Sequence, residues 1–194
     1  MMKVVGINGS PRKDGNTAIL IQTVFNELNQ QGIETELIQL SEKTIKGCTA
    51  CAACMTQKNQ RCIITDDFFN ECFAKMVAAD GIILGSPVYS AGVTSQIKAL
   101  IDRASIVLAG NRGLLKYKVG AAVIAVRRGG AISAFDTLTH FLHSKEMFLV
   151  GSTYWNMVYG RDVGEVEQDQ EGIANMKNLG QNMAWLLRKI HGQG

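Results

Sequence analysis

Apolar runs alternate with helix-period patterns from one end of the chain to the other. The runs contain few charged residues, which is typical of strands buried on both faces of a parallel sheet. We predict five strands, at residues 3–7, 35–40, 81–84, 119–126 and 147–150. We predict helices at residues 16–31, from 66 onward, and at 94–108, 131–144 and 172–191. The pattern therefore predicts an α/β fold: a doubly wound, five-stranded parallel sheet with helices on both faces, in a single domain over residues 1–194.

Local signals mark where these helices begin and end. Gly32 is expected to stop the first helix. Asp66 and Asp67 are expected to start the second helix, because carboxylates accept hydrogen bonds from free amides and favour the positive end of the helix dipole. Thr94 or Ser95 is expected to cap the third helix.

Two segments are the least patterned, at residues 41–65 and 152–171, and the second is rich in charged residues and glycine. Loops of that length in a compact domain are usually functional or cover a partner. In an open parallel sheet, ligands bind outside the carboxyl ends of the strands, where the strand order reverses. We therefore expect the loops after strands one, three and four to build a binding site.

The loop at residues 8–17 follows a strand and opens a helix, so backbone amides and the helix dipole should both face an anion. Ser10 and Thr17 add hydroxyl groups, Asn16 adds an amide, and Arg12 adds a guanidinium suited to phosphate. The glycine spacing matches neither the dinucleotide fingerprint nor the nucleotide P-loop. A phosphate monoester is the predicted occupant, and a solvated, flexible turn is the alternative.

Two further loops carry groups suited to a planar ligand. Pro87 and the neighbouring glycines shape a tight turn that would display Tyr89 beside exposed amides, an arrangement suited to a flat heterocycle. After strand four, Gly129 and Gly130 would allow the backbone to approach a ligand closely, and the two preceding arginines could balance an anionic ring. The alternatives are a buried tyrosine in an ordinary turn and arginines that are simply solvated.

Four cysteines occupy one short stretch: Cys48, Cys51, Cys54 and Cys62. The Cys-x-x-Cys-x-x-Cys spacing is the one that proteins use for a cubane iron–sulfur cluster, because soft thiolates suit such clusters and zinc. Nearby cations would favour the thiolate form; they are Lys46, Lys58 and Arg61. Three interpretations stay open: an iron–sulfur cluster, free or redox-active thiols, and structural zinc.

The fifth cysteine, Cys72, lies on the apolar side of a helical pattern and is predicted to be a core residue. The histidines, at positions 140, 143 and 191, lie outside the candidate loops and are predicted to be structural, so no catalytic residue is assigned. The net charge of +3 is too small to indicate nucleic-acid binding. No apolar run approaches the ~20 residues needed to span a bilayer, and strand one starts too early for a secretory signal, so we expect a cytoplasmic protein without membrane contact.

These motifs together resemble a known group. Gly-Ser-Pro-Arg-x-x-Gly-Asn-Thr from Gly9, Gly-Ser-Pro-Val-Tyr from Gly85, and the helix segment at residues 96–103 are similar to the NADPH-dependent FMN reductase family of flavodoxin-like proteins. The compact cysteine cluster between the first two motifs is similar to the iron–sulfur flavoprotein branch of that family. The resemblance covers nearly the whole chain.

The resemblance implies a flavodoxin-like fold, bound FMN and a homo-oligomer, either a dimer or a tetramer built from dimers. It implies that the FMN phosphate is held by Ser10, Arg12, Asn16 and Thr17. It implies that the isoalloxazine ring is lined by Pro87, Val88, Tyr89 and Ser90, with Gly129 and Gly130 near its other edge. It implies that a 4Fe–4S cluster is bound by Cys48, Cys51, Cys54 and Cys62.

The implied function is an FMN-dependent oxidoreductase. It would pass electrons between NAD(P)H, or a low-potential donor such as ferredoxin, and a small-molecule electron acceptor. The alternative is a flavodoxin-style electron carrier or a redox-sensing flavin module without enzymatic turnover. A scaffold that has lost its flavin is a further alternative.

Overall fold

The computed structural model describes residues 1–192 of the chain. Its strands are β1 (Lys3–Asn8), β2 (Glu34–Gln39), β3 (Gly81–Pro87), β4 (Val119–Val126), β5 (Phe148–Leu149) and β6 (Met157–Tyr159). Its helices are α1 (Asn16–Gln30), α2 (Ala53–Gln57), α3 (Phe69–Ala78), α4 (Ser95–Gly110), α5 (Ala131–His143) and α6 (Gln170–Ile190), with a short 3-10 helix at Glu165–Gln168. No helix within this part of the chain is both long and apolar enough to cross a membrane.

The strands form one parallel sheet in the order β2-β1-β3-β4-β5, and β6 also pairs with β4. Every residue of β4 is buried, as are all but the first of β1, because helices cover both faces. Helices α1 and α6 pack on one face, and α3, α4 and α5 pack on the other. The predicted doubly wound α/β fold is therefore confirmed.

The order of the strands in the sheet determines where a binding crevice lies. Strand β1 lies between β2 and β3, so the chain passes from β1 to β2 on one side and from β3 to β4 on the other. This is the point where the strand order reverses, and the loops after β1 and β3 diverge there to leave an open crevice. Because the strands are parallel, the three predicted ligand loops, after β1, β3 and β4, start at the same edge of the sheet.

The edge of the sheet beside β4 differs from the prediction, because two short strands, β5 and β6, pair with β4 where one strand at residues 147–150 was predicted. β5 pairs with Val119 and Gly120, whereas β6 pairs with the other end of β4, from Ile124 to Val126. Between them the chain leaves the sheet and is held by the buried Asn175 of α6. The Asn175 side chain accepts from the Tyr154 amide at 3.1 Å and donates to the Trp155 carbonyl at 3.1 Å.

The helix predicted to start at Asp66 begins three residues later, at Phe69. Asp66 instead forms an ion pair with Lys46. Asp67 accepts a hydrogen bond from the Phe69 amide at 3.2 Å and also pairs with Arg103. The two carboxylates therefore tie the preceding loop to the core, and only Asp67 contributes to the helix start.

The other boundaries agree with the sequence. Gly32 follows α1 with a φ of +73°, a conformation that favours glycine and ends a helix. Thr94 precedes α4, although its hydroxyl donates to the Gly9 carbonyl at 2.6 Å and does not cap the helix. Cys72 is fully buried, as predicted, and burial raises the pKa of its thiol to about 12.

Candidate functional site

The loop after β1 is a tight, internally bonded turn. The Ser10 amide donates to the Asn8 side chain at 3.0 Å, and the Arg12 amide donates to the Ser10 hydroxyl at 3.1 Å. Gln39, at the end of β2, receives a hydrogen bond from the Asn8 amide group at 2.6 Å and donates to the Ser10 carbonyl at 2.8 Å. The side chains of Asn8 on β1 and Gln39 on β2 therefore fix the shape of the loop after β1.

The first turn of α1 supplies further donors. The helix begins without a side-chain capping bond, which leaves its first amides available to an anion. The Thr17 hydroxyl is buried and has no hydrogen-bond partner within residues 1–192. Buried hydroxyls almost always have a partner. An anion at this helix start would provide it.

Asn16 has a different use from the predicted one. Its side chain donates to the Asp162 carbonyl at 2.9 Å and accepts from the Gly164 amide at 2.8 Å. The side chain therefore holds the loop between β6 and the 3-10 helix, residues 160–164. What Asn16 offers an anion is its backbone amide at the helix start.

The loop after β3 closes as a two-residue turn. Tyr89 and Gly92 exchange backbone hydrogen bonds of 2.9 Å, with Ser90 and Ala91 between them. Both central residues have positive φ, 48° and 59°, which costs a non-glycine residue of order 1–3 kcal/mol and is concentrated at functional sites. The Tyr89 side chain is half exposed, so the predicted display of this ring agrees with the structure.

The glycine pair after β4 lies against this turn. Gly130 has a φ of +87°, and a Cβ there would approach the Ala91 Cα to 2.8 Å. Gly129 has open space around its Cα. Close approach therefore requires glycine at position 130, and position 129 has no such constraint.

The predicted cofactor residues gather around two adjoining clefts. The first, of about 280 Å³, is lined by Ser10, Arg12, Asn16, Thr17, Pro87, Val88, Tyr89, Ala125, Arg127, Gly160 and Arg161. The second, of about 350 Å³, is lined by Val88, Ser90, Ala91, Arg127, Arg128 and Gly129. They share Val88 and Arg127, and Gly130 packs directly behind that wall. The structure thus brings all ten predicted residues to one place.

The clefts are strongly cationic. Four arginines line them: Arg12, Arg127, Arg128 and Arg161. None of these forms a salt bridge with any residue in the described range, and no carboxylate lines either cleft. An anion is the ligand that this charge arrangement favours.

Sequence reasoning missed three contributors to the first cleft: Ala125, Gly160 and Arg161. Gly160 and Arg161 follow β6, which was also missed, and they lie in the poorly patterned segment at residues 152–171. The signals available for them were the length of that segment and its richness in charged residues and glycine. A Cβ on Gly160 would lie 2.6 Å from the Val166 amide nitrogen, so the loop passes close to the 3-10 helix.

The four cysteines surround a second, separate cavity. Cys48, Cys51, Cys54 and Cys62 line one small hollow against α4, which shares no lining residue with the two clefts. Cys54 is buried, Cys62 is half-buried, and the other two are exposed. The structure therefore places all four thiols around one hollow, although within residues 1–192 no three of them are grouped as a metal-ion site.

The cysteine-rich loop, residues 41–65, is held at several points. The Cys62 amide donates to the Asn70 side chain at 2.8 Å, and Asn70 donates back to the Cys62 carbonyl at 3.0 Å. Helix α2 sits on the end of α4, where a Cβ on Gly110 would lie 2.7 Å from the Met55 Cα. These contacts define the position of the thiols relative to the core.

The Cys51 thiol is activated by backbone and hydroxyl donors and not by the surrounding lysines. The Ala53 amide and then the Thr49 side chain lower the pKa of the Cys51 thiol. The Ala50 amide donates to the Cys48 sulfur at 3.4 Å. Lys46, expected to favour thiolate, is instead paired with Asp66 at 2.5 Å. Burial raises the pKa of the Cys54 thiol.

The donor set has the chemistry of a thiolate metal site. Four thiols line one hollow, and the Ala50 amide donates to the Cys48 sulfur at 3.4 Å. Soft thiolate ligands suit both iron–sulfur clusters and zinc. Within residues 1–192, however, no three His, Cys, Asp or Glu side chains are grouped as a metal-ion site, so the structure does not choose between these groups.

Comparison with known proteins identifies the family of the chain. Residues 2–162 match the family described as NADPH-dependent FMN reductase. The chain is 38% identical to an iron–sulfur flavoprotein of Methanocaldococcus jannaschii, over 97% of this chain and 99% of that protein. It is 35% identical to an iron–sulfur flavoprotein of Methanosarcina thermophila, over 97% of each chain.

Solved structures show the same architecture at low identity. The crystal structure of RosB with a bound formylriboflavin phosphate intermediate superposes with a TM-score of 0.78 and 16% identity, covering 99% of this chain and 81% of that one. An archaeal flavodoxin superposes with a TM-score of 0.62 and 14% identity, covering 96% and 99%. These likenesses establish the flavodoxin-like fold.

The fold and the site define a flavodoxin-like oxidoreductase that uses FMN. The chain belongs to the NADPH-dependent FMN reductase family, in its iron–sulfur flavoprotein branch.

Proposed function

We propose that this chain binds FMN in the two arginine-lined clefts and a 4Fe–4S cluster on its four cysteines. It would pass electrons between NAD(P)H, or a low-potential donor such as ferredoxin, and a small-molecule acceptor. The observation that carries the proposal is the anion site at the start of α1. There, within residues 1–192, the buried Thr17 hydroxyl lacks a hydrogen-bond partner, and Arg12 and Arg161 form no salt bridge.

The phosphate end of FMN would occupy this anion site. Ser10, Arg12 and Thr17 would donate from their side chains, and Asn16 would donate from its backbone amide. Arg161, which approaches from the loop after β6, would add a second guanidinium. The monoester dianion would thus be neutralised by guanidinium groups that form no salt bridge with any described residue.

The ring end would extend toward the second cleft. The turn at Tyr89 and Ser90 would form one wall, with Pro87 and Val88 at its base. Gly129 and Gly130 would form the opposite edge. Arg127 lines both clefts, so its charge would lie near whichever ring edge becomes anionic.

Bound FMN supplies the chemistry: it accepts a hydride and releases electrons singly or in pairs. The chain's own residues bind and orient the ring. No histidine or carboxylate lines either cleft within the described residues, so protons would be exchanged with solvent. We therefore assign no side chain as a general acid or base.

The four cysteines would hold the cluster, which supplies one-electron transfer when bound. Backbone amides near Cys48 and Cys51 donate toward sulfur, and such donors stabilise the added negative charge of a reduced cluster. The curated relatives at 38% and 35% identity carry the name iron–sulfur flavoprotein, which supports this assignment.

Flavin content tests the first half of the proposal. Arg12→Ala should lose most of its FMN, whereas Arg112→Ala, an exposed arginine outside both clefts, should keep it. Absorbance of anaerobically purified protein, iron analysis and EPR of the reduced sample test the second half. Protein that stays colourless when FMN is added would overturn the flavin assignment, and iron-free protein would overturn the cluster assignment.

A pyridine-nucleotide oxidation assay separates the enzyme from its rival. NAD(P)H oxidation with a quinone acceptor supports a reductase. A flavin-loaded protein that turns over no acceptor, yet exchanges electrons with ferredoxin, would be a flavodoxin-style carrier or sensing module. The mildly basic net charge of +3 disfavours a carrier for cationic redox partners.

We also propose a cytoplasmic homo-oligomer, a dimer or a tetramer. Tyr154, Trp155 and Tyr159 are half exposed and line a cleft of about 500 Å³, and clustered exposed aromatic side chains often mark an interface. Light scattering coupled to size-exclusion chromatography measures the mass directly. A monomer at micromolar concentration would contradict this part of the proposal.

A further inference from the structure

Arg103, on α4, is one of the largest fully buried side chains in the molecule, with 1% of its surface exposed. Burying a guanidinium costs several kcal/mol unless its N–H groups are paired. Its terminal nitrogens donate to the Lys46 carbonyl at 3.2 Å, to the Ile64 carbonyl at 3.2 Å, and to the Asp67 carboxylate. Its plane lies 4.2 Å from the centre of the Phe69 ring.

These contacts fasten both ends of the cysteine-rich loop. Lys46 precedes Cys48 by two positions, and Ile64 follows Cys62 by two positions. One guanidinium therefore binds the chain just before the first thiol and just after the last one. Its side chain also lines the hollow that the four thiols surround.

One nitrogen of this side chain has no partner. The Arg103 Nε is buried and has no hydrogen-bond partner within the described residues, whereas each terminal nitrogen donates at least one hydrogen bond. Buried polar groups almost always have a partner. Arg103 lines the hollow that the four thiols surround, so a sulfur held there would be a suitable acceptor.

We propose that the Arg103 Nε–H donates a hydrogen bond to a sulfur of the bound cluster and thereby raises its reduction potential. This inference rests on the proposed function, because it requires the cluster. A donor to sulfur stabilises the reduced, more negative state more than the oxidised one. Arg103 is thus a positioning residue through its terminal nitrogens and a tuning residue through Nε.

The direct test uses the wild-type protein. Arginine labelled with ¹⁵N only in its guanidino group is incorporated, the cluster is reduced, and pulsed EPR is recorded. We expect a ¹⁵N coupling from a side-chain nitrogen near the cluster, and we expect it to persist in Arg61→Lys, which removes an exposed arginine of the same loop. Iron-loaded protein without this coupling would overturn the inference alone, whereas iron-free protein would overturn the cluster and the inference together.

Two variants then separate tuning from loop support. Arg103→Lys keeps the positive charge and removes Nε–H, so the equilibrium constant for reducing the cluster should fall about tenfold. For a one-electron couple this corresponds to a midpoint potential that is lower by about 59 mV. Asp67→Asn loosens the same network but removes a negative charge, so its potential should rise or stay unchanged. Equal shifts in both variants, or no shift in Arg103→Lys, would overturn the proposal. If Arg103→Lys does not load a cluster, the labelled wild-type protein decides.

Discussion

Thr17→Val should weaken FMN binding while stabilising the FMN-free protein. The Thr17 hydroxyl is buried without a partner in the described chain, and an unsatisfied buried hydroxyl costs about 1–3 kcal/mol. Valine keeps the shape, including the methyl group that packs over Gly85. We therefore expect the free energy of unfolding of the FMN-free protein to rise by about 1 kcal/mol.

With FMN present the same change removes a hydrogen bond to a charged phosphate, worth about 1.5–3 kcal/mol. Because 1.4 kcal/mol corresponds to tenfold in Kd, binding should weaken by about 10- to 100-fold. Urea unfolding of the FMN-free protein and quenching of flavin fluorescence measure the two effects separately. Thr23→Val is the matched control, since its hydroxyl donates to the Ile19 carbonyl at 2.9 Å within α1. An unchanged Kd, or a destabilised FMN-free protein, would refute the reasoning.

Three other predictions follow from local geometry. Gly130→Ala should destabilise the protein by about 1–3 kcal/mol and lower flavin content, because of its φ of +87° and the nearby Ala91. Gly129→Ala should leave the free energy of unfolding of the FMN-free protein unchanged, because nothing lies within 4 Å of the added Cβ, and urea unfolding of both variants measures the difference. Glu36→Gln should cost about 1 kcal/mol near neutral pH, because ion pairs with Lys75 and Lys3 hold the pKa of Glu36 below its ordinary value. Because the pKa of Glu36 is lower in the folded than in the unfolded state, its ion pairs stabilise the protein fully above the unfolded pKa of about 4.3. That stabilisation is lost as the pH falls through the folded-state pKa. A stability difference between Glu36→Gln and wild type that grows on acidification would contradict this prediction. In metal-free protein near neutral pH, iodoacetamide should modify Cys51 first and leave Cys72 intact, because their pKa values are lowered and raised respectively; peptide mass mapping that finds Cys72 alkylated in folded protein would count against this.

Much of the fold could be read from the chain because burial leaves a strong periodic signal. The strand at residues 119–126 and the helix stop at Gly32 needed only local pattern, and both agree with the structure. The candidate loops were found for a related reason. Their glycines, hydroxyls and arginines break the apolar pattern at strand ends, where the topology of a parallel sheet gathers them.

The features that could not be predicted from the sequence depend on contacts between residues that are distant in the chain. Gln39 shapes the Ser10 loop from 29 positions away, and Arg103 reaches the Lys46 carbonyl over 57 positions. Neither residue differs locally from an ordinary polar position. The split of the fifth strand has the same origin, because Asn175 on the last helix holds the chain away from β4.

Helix α4 acts as a spacer between the two regions that carry chemistry. Thr94, at its start, donates a hydrogen bond to the Gly9 carbonyl beside the first cleft. Arg103, nine residues further on, donates hydrogen bonds to two carbonyls of the cysteine-rich loop. At 1.5 Å per residue these anchor points are separated by about 14 Å along the axis. The separation is thus set by helical stiffness, so loop motions would leave it unaltered. A single residue inserted between the anchors would turn Arg103 by about 100° and aim it away from the sulfur-lined hollow.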